Sequence, residues 1–158
     1  MLKSLAIIAI VIGVLLAFKY LSSNSESSKQ ALADGKKFLE DNKAKANIQV
    51  TASGLQYEFL QQGEGGAMPG TKDKVEVHYH GTLIDGTVFD SSVERGATIT
   101  FGLNQVIKGW TEGLQLMAEG DKVRLYIPAE LAYGSRRAGK IPANSALIFD
   151  VELIKINP

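Results

Sequence analysis

The chain has 158 residues, with 17 basic side chains, 17 acidic side chains and no cysteine. This length is sufficient for one domain with its own hydrophobic core and an appendage. The zero net charge argues against a general nucleic-acid-binding protein, which needs a basic excess to neutralise phosphates. The lack of cysteine excludes disulfides, zinc–thiolate sites and thiol nucleophiles.

The first 21 residues are strongly apolar: 17 of them are hydrophobic, and only Lys3 and Lys19 are charged. The uncharged stretch Leu5–Phe18 would rise about 21 Å as a helix, and its neighbours extend it toward about 20 residues. We therefore favour an N-terminal apolar helix, residues 1–21, that acts as an uncleaved signal anchor. A cleaved signal peptide ending near Ser23–Ser25 and a buried core helix are the alternatives. The basic amino end would stay in the cytoplasm, so the remainder would face the exterior side.

Residues 22–52 are polar. Ser22–Lys29 is rich in serine, asparagine, glutamate and lysine, a composition that is typical of a flexible tether. A short amphipathic helix is predicted next, with Ala31, Leu32, Phe38 and Leu39 among charged residues. Its apolar face is narrow, so we expect it to dock weakly or to act as a spacer.

From residue 53 onward the pattern predicts one α+β domain, residues 53–158. Apolar residues alternate with polar ones, as in β-strands, around Leu55–Phe59, Val75–Tyr79, Val88–Phe89, Val123–Ile127 and Leu147–Ile156. Ile107, Trp110, Leu114 and Met117 are spaced as one face of a single helix. The chain therefore predicts about five antiparallel strands packed around one short helix.

The usual catalytic motifs are missing from the sequence. There is no phosphate-binding glycine loop and no serine in a nucleophile-elbow pattern. His78 and His80 lie two apart on a strand, but the sequence has no third histidine, and no nearby carboxylate is compelled to complete a metal site. We expect them to be solvent-facing strand residues, and the Arg136–Arg137 pair to be plain surface.

Aromatic residues are the most informative group in the domain. Several of them stand next to glycines, at His80–Gly81, Gly109–Trp110 and Tyr133–Gly134, where the backbone can approach closely or turn tightly. A plain core is one interpretation. The other is an apolar pocket lined by aromatic side chains, with the carboxylate of Asp90 beside it.

Five ordered motifs carry a resemblance to the FKBP family of peptidyl-prolyl isomerases, within a similarity that covers residues 53–156. The helical segment 35–42 and Ser53–Tyr57 resemble the bacterial Mip and FkpA branch. The five motifs are Val77–Leu83, Asp85–Ser92, Gln105–Leu114, Leu131–Gly134 and Leu147–Leu153.

The resemblance implies an antiparallel half-barrel sheet wrapped around one short helix, with the pocket between them. Trp110 would form the floor beneath the proline ring, and Asp90 would face the carbonyl before the proline. The Tyr133 hydroxyl and the Ile107 backbone N–H would donate hydrogen bonds to substrate carbonyls. By matching motif, the catalytic residues would be Tyr79, Phe89, Asp90 and Tyr133, and the substrate-binding residues Val106, Ile107, Trp110, Ile141 and Phe149.

The implied activity is cis–trans isomerisation of Xaa-Pro bonds in exported proteins, without a metal or cofactor. Proline-containing polypeptides would be the clients and macrolides the inhibitors. The branch works outside the cytoplasm, which agrees with an inner-membrane anchor and a periplasm-facing domain, or with a cleaved, soluble periplasmic form. The alternatives are a non-catalytic module that binds proline segments and a membrane-tethered chaperone.

The sequence departs from the family at three places. Ile99 stands where many members have another pocket aromatic. The segment 102–104 is shorter than in the small eukaryotic members, as in the bacterial branch, and the loop 135–140 is one residue short and lacks the frequent rim histidine. Most of the long helical dimerisation arm of the Mip and FkpA branch is missing, so no oligomeric state follows from the resemblance.

Overall fold

In the computed structural model, residues 2–158 have a described backbone, and side chains are described for residues 16, 17 and 19–158. A long helix α1, Leu2–Asn42, precedes a seven-stranded sheet, two further helices and one 3₁₀ turn, Ala129–Leu131. The strands are β1 (Gln49–Val50), β2 (Gln56–Gln61), β3 (Lys74–Leu83), β4 (Val88–Ser91), β5 (Ile99–Gly102), β6 (Lys122–Ile127) and β7 (Leu147–Ile156), and the helices are α2 (Ser92–Arg95) and α3 (Lys108–Leu114).

The sheet is antiparallel at every pairing, in the order β1-β2-β6-β7-β3-β4. Strand β5 also pairs with β3, along the half of β3 that β4 leaves open. The expected count of about five strands was too low. The two-residue strand β1 and the four-residue strand β5 are too short to show alternation in the sequence.

Strict alternation of burial along the central strands builds the core. In β3 the buried positions are Val75, Val77, Tyr79 and Gly81, and in β7 every second residue from Leu147 to Leu153 is buried. Because successive side chains of a strand point to opposite faces, this pattern directs one face of the sheet onto helix α3. The predicted α+β fold with an antiparallel sheet around one short helix is confirmed.

Helix α3 approaches the sheet closely because two of its seven residues are glycine. A Cβ atom on Gly109 would lie 2.5 Å from Cγ2 of Ile127, and one on Gly113 would lie 2.8 Å from the Cδ atoms of Leu125. Both contacts are shorter than carbon atoms tolerate, so a larger residue at either position would require the facing side chain, Ile127 or Leu125, to move. The helix is shorter than the predicted span of 107–117, and tighter turns continue it to Met117.

Helix α1 docks on the domain through its last turns. Gly35 and Asn42 are buried, and the Phe38 ring packs against Tyr126 with centroids 6.0 Å apart. The Asn42 side-chain amide donates to Gln56 Oε1 (2.9 Å), and the Gln56 amide donates to the Leu39 carbonyl (2.8 Å). The helix is therefore fixed by buried hydrogen bonds as well as by its narrow apolar face.

The expectation of a flexible tether at residues 22–29 was wrong, because α1 is continuous through them. Serine and asparagine weaken a helix but do not break it, and this stretch has no proline or glycine. Ser28 also contacts Asn144, whose side-chain amide donates to Ser28 Oγ at 2.8 Å.

The predicted apolar helix at residues 1–21 lies mostly outside the residues whose side chains the structure describes. Leu16, Tyr20 and Leu21, which are described, are exposed. No helix in the described part of the chain is both long enough and apolar enough to cross a membrane.

We predict that Gly109→Ala lowers the free energy of unfolding by about 1–3 kcal/mol, the usual cost of inserting a methyl group into a packed interface. The added Cβ would push α3 away from Ile127. Urea denaturation followed by tryptophan fluorescence measures the change, since Trp110 is the single tryptophan and lies on the same helix.

Gly70→Ala is the matched control. A Cβ there would meet only Asp73 Oδ2, at 3.6 Å, which is an ordinary contact. Its free energy of unfolding should stay within about 0.5 kcal/mol of the wild type. Equal losses in the two variants would contradict the close approach of α3 as the cause.

Candidate active site

A cavity of about 590 Å³ lies between helix α3 and the sheet. Most of its wall is aromatic or aliphatic, and Asp90 is the one acidic residue in it. The lining residues are Tyr79, Phe89, Asp90, Phe101, Gln105, Val106, Ile107, Trp110, Tyr133, Ala138, Gly139, Lys140, Ile141 and Phe149. All nine site residues named from the sequence are therefore brought together in one cavity.

Trp110 lies at the centre of the aromatic wall and is 4% exposed. Its ring meets three neighbours edge to face: Tyr79 at 5.2 Å, Phe149 at 5.3 Å and Phe101 at 5.7 Å between centroids. This T-shaped geometry is the favoured one for aromatic rings and fixes the orientation of the indole. The Trp110 indole N–H is buried and has no acceptor among the described residues.

Gly81 makes room for two of the aromatic rings. A Cβ atom there would lie 2.7 Å from both Phe89 and Phe149. These two rings meet at 85° with centroids 5.3 Å apart. The glycine that follows His80 in the sequence thus lets the two side walls of the cavity pack across β3.

The polar part of the site is a hydrogen-bonded network of Tyr79, Asp90 and Arg95. The Tyr79 hydroxyl donates to Asp90 Oδ2 at 2.5 Å, and Arg95 Nη1 donates to Asp90 Oδ1. Arg95 Nη2 also donates to the Tyr79 oxygen at 3.0 Å, and the guanidinium lies 5.7 Å from the centre of the Tyr79 ring. Each carboxylate oxygen of Asp90 therefore has its own donor.

Burial and the network act on the pKa values in definable directions. Burial alone would raise the pKa of Asp90, but the hydrogen bonds from Tyr79 and Arg95 outweigh it and lower that pKa below its ordinary value. Burial, followed by donation to Asp90, raises the pKa of Tyr79. At neutral pH the site thus holds an ionised Asp90 beside a protonated Tyr79.

The short helix α2 brings Arg95 back to Asp90. It begins at Ser91, whose Oγ accepts the Glu94 N–H at 3.2 Å, and Gly96 ends it in the left-handed conformation. A serine followed three residues later by glutamate is the capping-box pattern, with glycine as the usual stop. This signal is present at Ser91–Gly96, so helix α2 could have been found from the sequence, although the pairing of Arg95 with Asp90 could not.

The loop that follows the 3₁₀ turn, residues 132–146, covers one side of the cavity, and we call it the rim loop. Ala138 and Ile141 form an isolated antiparallel bridge within it. Ile141 is buried at 5% exposure, whereas Tyr133 is 42% exposed. At the opposite side, no backbone carbonyl of the described residues accepts from the Ile107 N–H. A tyrosine hydroxyl and a backbone donor thus border the same cavity.

The two histidines are not the solvent-facing residues that we expected. Both are half-buried, and Nδ1 of His78 and His80 lies 2.9 Å from the hydroxyl oxygens of Ser92 and Ser91, respectively. The return of the chain through α2 covers them. Within the part of the chain that the structure describes, no three histidine, aspartate or glutamate side chains are grouped to hold a metal ion.

Two family models match the chain. The model of the FKBP-type peptidyl-prolyl cis-trans isomerase matches residues 65–154, more than half of the chain, and includes the whole cavity. The chain belongs to this family. The model of the domain amino-terminal to FKBP-type isomerases matches residues 14–59, which include most of α1.

Curated relatives from bacteria agree with this assignment. The FKBP-type isomerase FkpA of Aeromonas hydrophila is 51% identical over 137 residues, which are 85% of this chain and 51% of that protein. The outer membrane protein MIP of Legionella longbeachae is 48% identical over 133 residues, 84% of this chain and 57% of that protein. The chain thus spans about half the length of the curated relatives that it matches.

Solved structures show the same fold. The crystal structure of FkpA from Escherichia coli has a TM-score of 0.84 at 38% identity and covers 94% of this chain and 72% of its own. A peptidyl-prolyl isomerase structure from Pseudomonas syringae has a TM-score of 0.75 at 37% identity, covering 83% of this chain and 96% of its own. The FKBP-like fold and family are therefore established independently of the cavity.

We predict that Arg95→Met raises the pKa of Asp90, because the carboxylate loses its charged donor. The pKa of Asp90 in the folded protein lies below its ordinary value of about 3.9, so the ionised carboxylate stabilises the fold at pH values above about 3.9. The contribution is lost as the pH falls from the unfolded pKa through the folded pKa, so in the variant the contribution is smaller and its loss is complete at a higher pH. A carboxyl-carbon NMR titration measures the shift.

Asp85 is an internal control in the same titration. Its pKa is lowered by the backbone N–H of Thr87, which Arg95 does not touch. That pKa should be the same in both proteins. An unchanged Asp90 pKa in Arg95→Met would contradict the network.

Proposed function

We propose that the chain catalyses cis–trans isomerisation of Xaa-Pro bonds in exported polypeptides. The observation that carries the proposal is the cavity itself: a buried indole framed edge to face by aromatic rings, with an ionised carboxylate at its border. Its membership of the isomerase family supports the same activity. Because the chain is shorter than its relatives, activity, clients and location are all to be tested on this chain.

The reaction requires little chemistry from the protein. An amide resists rotation by about 18–20 kcal/mol because resonance gives its C–N bond double-bond character. In the twisted transition state this resonance is lost, and the amide becomes less polar. A dry aromatic cavity favours the less polar species over the planar amide, and such differential stabilisation is what accelerates a reaction.

Trp110 would support the proline ring, with Phe89 and Phe149 on its sides. The planar amide carries partial negative charge on its carbonyl oxygen, and this charge decreases as the bond twists. A carboxylate facing that oxygen repels the planar form more than the twisted form. Asp90, held ionised by Tyr79 and Arg95, lines the cavity and would supply this effect.

Tyr133 and Ile107 would hold the polypeptide on either side of the rotating bond. The exposed Tyr133 hydroxyl can donate to one substrate carbonyl, and the Ile107 N–H can donate to another. Val106 and Ile141 would complete the apolar wall. Fixing both flanks makes the twist occur at the Xaa-Pro bond and nowhere else.

We predict that Asp90→Ala lowers kcat/KM for a Leu-Pro peptide by about tenfold, which corresponds to about 1.4 kcal/mol of lost transition-state stabilisation. Protease-coupled or NMR exchange assays measure the rate. Asp85→Ala is the matched control, since this aspartate lies outside the cavity and should leave the rate unchanged.

Two outcomes separate catalysis from simple binding. A wild-type protein that binds the peptide, but does not exceed the spontaneous rate, would leave the chain as a proline-segment binding module. A protein that suppresses aggregation of unfolded clients equally well with Asp90→Ala would have a chaperone activity apart from the cavity.

We further propose that residues 1–21 direct the chain to the bacterial inner membrane and remain as its anchor. Residues 22–52 would form the connecting arm, and residues 53–158 the isomerase domain in the periplasm. The uncharged stretch Leu5–Phe18 between two lysines supports an export signal. One relative is named an outer membrane protein, which also indicates export in this family.

We predict that mass spectrometry of the mature protein finds an uncleaved amino terminus in the membrane fraction. A mature terminus near Ser23–Glu26, in the periplasmic fraction, would contradict the anchor and favour the cleaved form. Recovery of the intact chain in the cytoplasm would contradict both.

A further inference from the structure

The rim loop is the one strongly basic stretch at the cavity. Between Glu130 and Asp150 the chain has three basic residues and no acidic residue, although the protein as a whole has zero net charge. The three cations are Arg136, Arg137 and Lys140. This local excess is therefore a property of the loop and does not follow from overall composition.

The fold holds the loop that carries these three cations next to the cavity, and one of them lines it. Lys140 is one of the cavity-lining residues and stands between the bridge partners Ala138 and Ile141. The loop is tied down by further backbone bonds, Arg136 N–H to the Tyr133 carbonyl (3.2 Å) and Asn144 N–H to the Gly134 carbonyl (2.8 Å). The cations thus lie on a bonded loop that also carries Tyr133.

No carboxylate among the described residues pairs with them. In the described part of the chain, the ion pairs do not include Arg136, Arg137 or Lys140, and all three are exposed. Arg137 makes one side-chain hydrogen bond there, to Asn24 Oδ1 at 3.4 Å. Asp90, the carboxylate of the cavity wall, is already engaged by Tyr79 and Arg95. The border of the cavity therefore has an uncompensated positive charge.

We propose that the three rim-loop cations select proline segments that carry aspartate or glutamate near the proline. This inference rests on the proposed isomerase function and names the class of substrate that the site prefers. Because the cations are exposed, a client carboxylate loses little hydration when it approaches them. Each such pair contributes modestly and is weakened by salt, so the preference is a graded one.

The test compares peptides with a constant Leu-Pro core that differ at one flanking position. Glu, Gln or Lys is placed two residues before the proline in one series and two residues after it in another. For each protein, kcat/KM is expressed as the ratio of the Glu peptide to the Gln peptide, which cancels any general loss of activity. Rates are measured at ionic strengths of about 0.01 M and about 1 M, where the screening lengths are about 30 Å and 3 Å.

In at least one series, kcat/KM of the wild type should be about two- to fivefold higher for the Glu peptide than for the Gln peptide at low salt. The Lys peptide should have the lowest kcat/KM of the three. The ratio should approach one at high salt. Lys140→Arg should keep the preference for the Glu peptide, and Lys140→Gln should weaken it. The triple variant Arg136→Glu, Arg137→Glu and Lys140→Glu should reverse it. Lys72→Glu is the matched control: this lysine is exposed and is not among the lining residues of the site cavity, so the ratio should not change.

Three results would overturn the inference: a Glu-to-Gln ratio of one in both series, a ratio that resists salt, or an equal change in Lys72→Glu. In each of these cases the Gln peptide would still be isomerised above the spontaneous rate, so the proposed function would stand. A wild type that isomerises none of the peptides fails as an isomerase. If that protein also binds the Glu and Gln peptides equally, the selection of acidic segments fails with it.

Discussion

The close approach of helix α3 to strand β6 is the constraint on which the site depends. With side chains at Gly109 and Gly113, the helix would stand off the sheet, and Trp110 would leave the three rings that frame it. The same distance sets the width of the cavity, because α3 forms one wall and β3 and β7 form the other. The glycines lower the intrinsic stability of the helix, and the buried contacts they permit compensate for this loss.

Around this constraint the molecule separates apolar and polar functions within a small volume. The indole N–H of Trp110 is left without an acceptor among the described residues, which is costly for a buried donor but keeps the floor free of polar partners. The polar groups are gathered at the border, where α2 returns Arg95 to Asp90 and Tyr79. A polar network inside the cavity would instead stabilise the planar, more polar amide and oppose its rotation.

Alternation and glycine placement made much of the domain predictable from the sequence. The period of two in β3, β6 and β7 gave the strands, and the glycine–aromatic neighbours indicated close backbone approach, as Gly81 and Gly109 have. The nine cavity residues, in contrast, were named by family resemblance, since spacing alone cannot say which aromatics share a pocket and which are core. The short strands β1 and β5 were missed because two to four residues carry too little periodicity.

Arg95 and the histidines show a second limit of sequence reasoning. Their environment is created by a reversal of the chain at α2. This reversal makes Arg95 the ion-pair partner of Asp90, five residues earlier in the chain. It also brings the serines at the start of α2 over His78 and His80. Local composition at residues 22–29 misled in the opposite direction. Polar residues there suggested a coil. The later turns of α1, however, are docked on the domain through Phe38 and Asn42, and this docking stabilises helix that extends back through residues 22–29.

Helix α1 is consequently more than an arm that leads away from the domain. Ser28 accepts from Asn144 of the rim loop, and Gly35 lies so close to Ala146 that a Cβ atom would be 3.2 Å from its methyl group. Asn144 has a positive φ of 61°, in the left-handed region that asparagine tolerates, and contacts of its side chain support the turn there. The helix supplies part of that support, so the segment that leads toward the amino terminus also fixes the loop that borders the cavity. Movement of α1 would therefore be transmitted through the rim loop to Tyr133 and Lys140 at the border of the cavity.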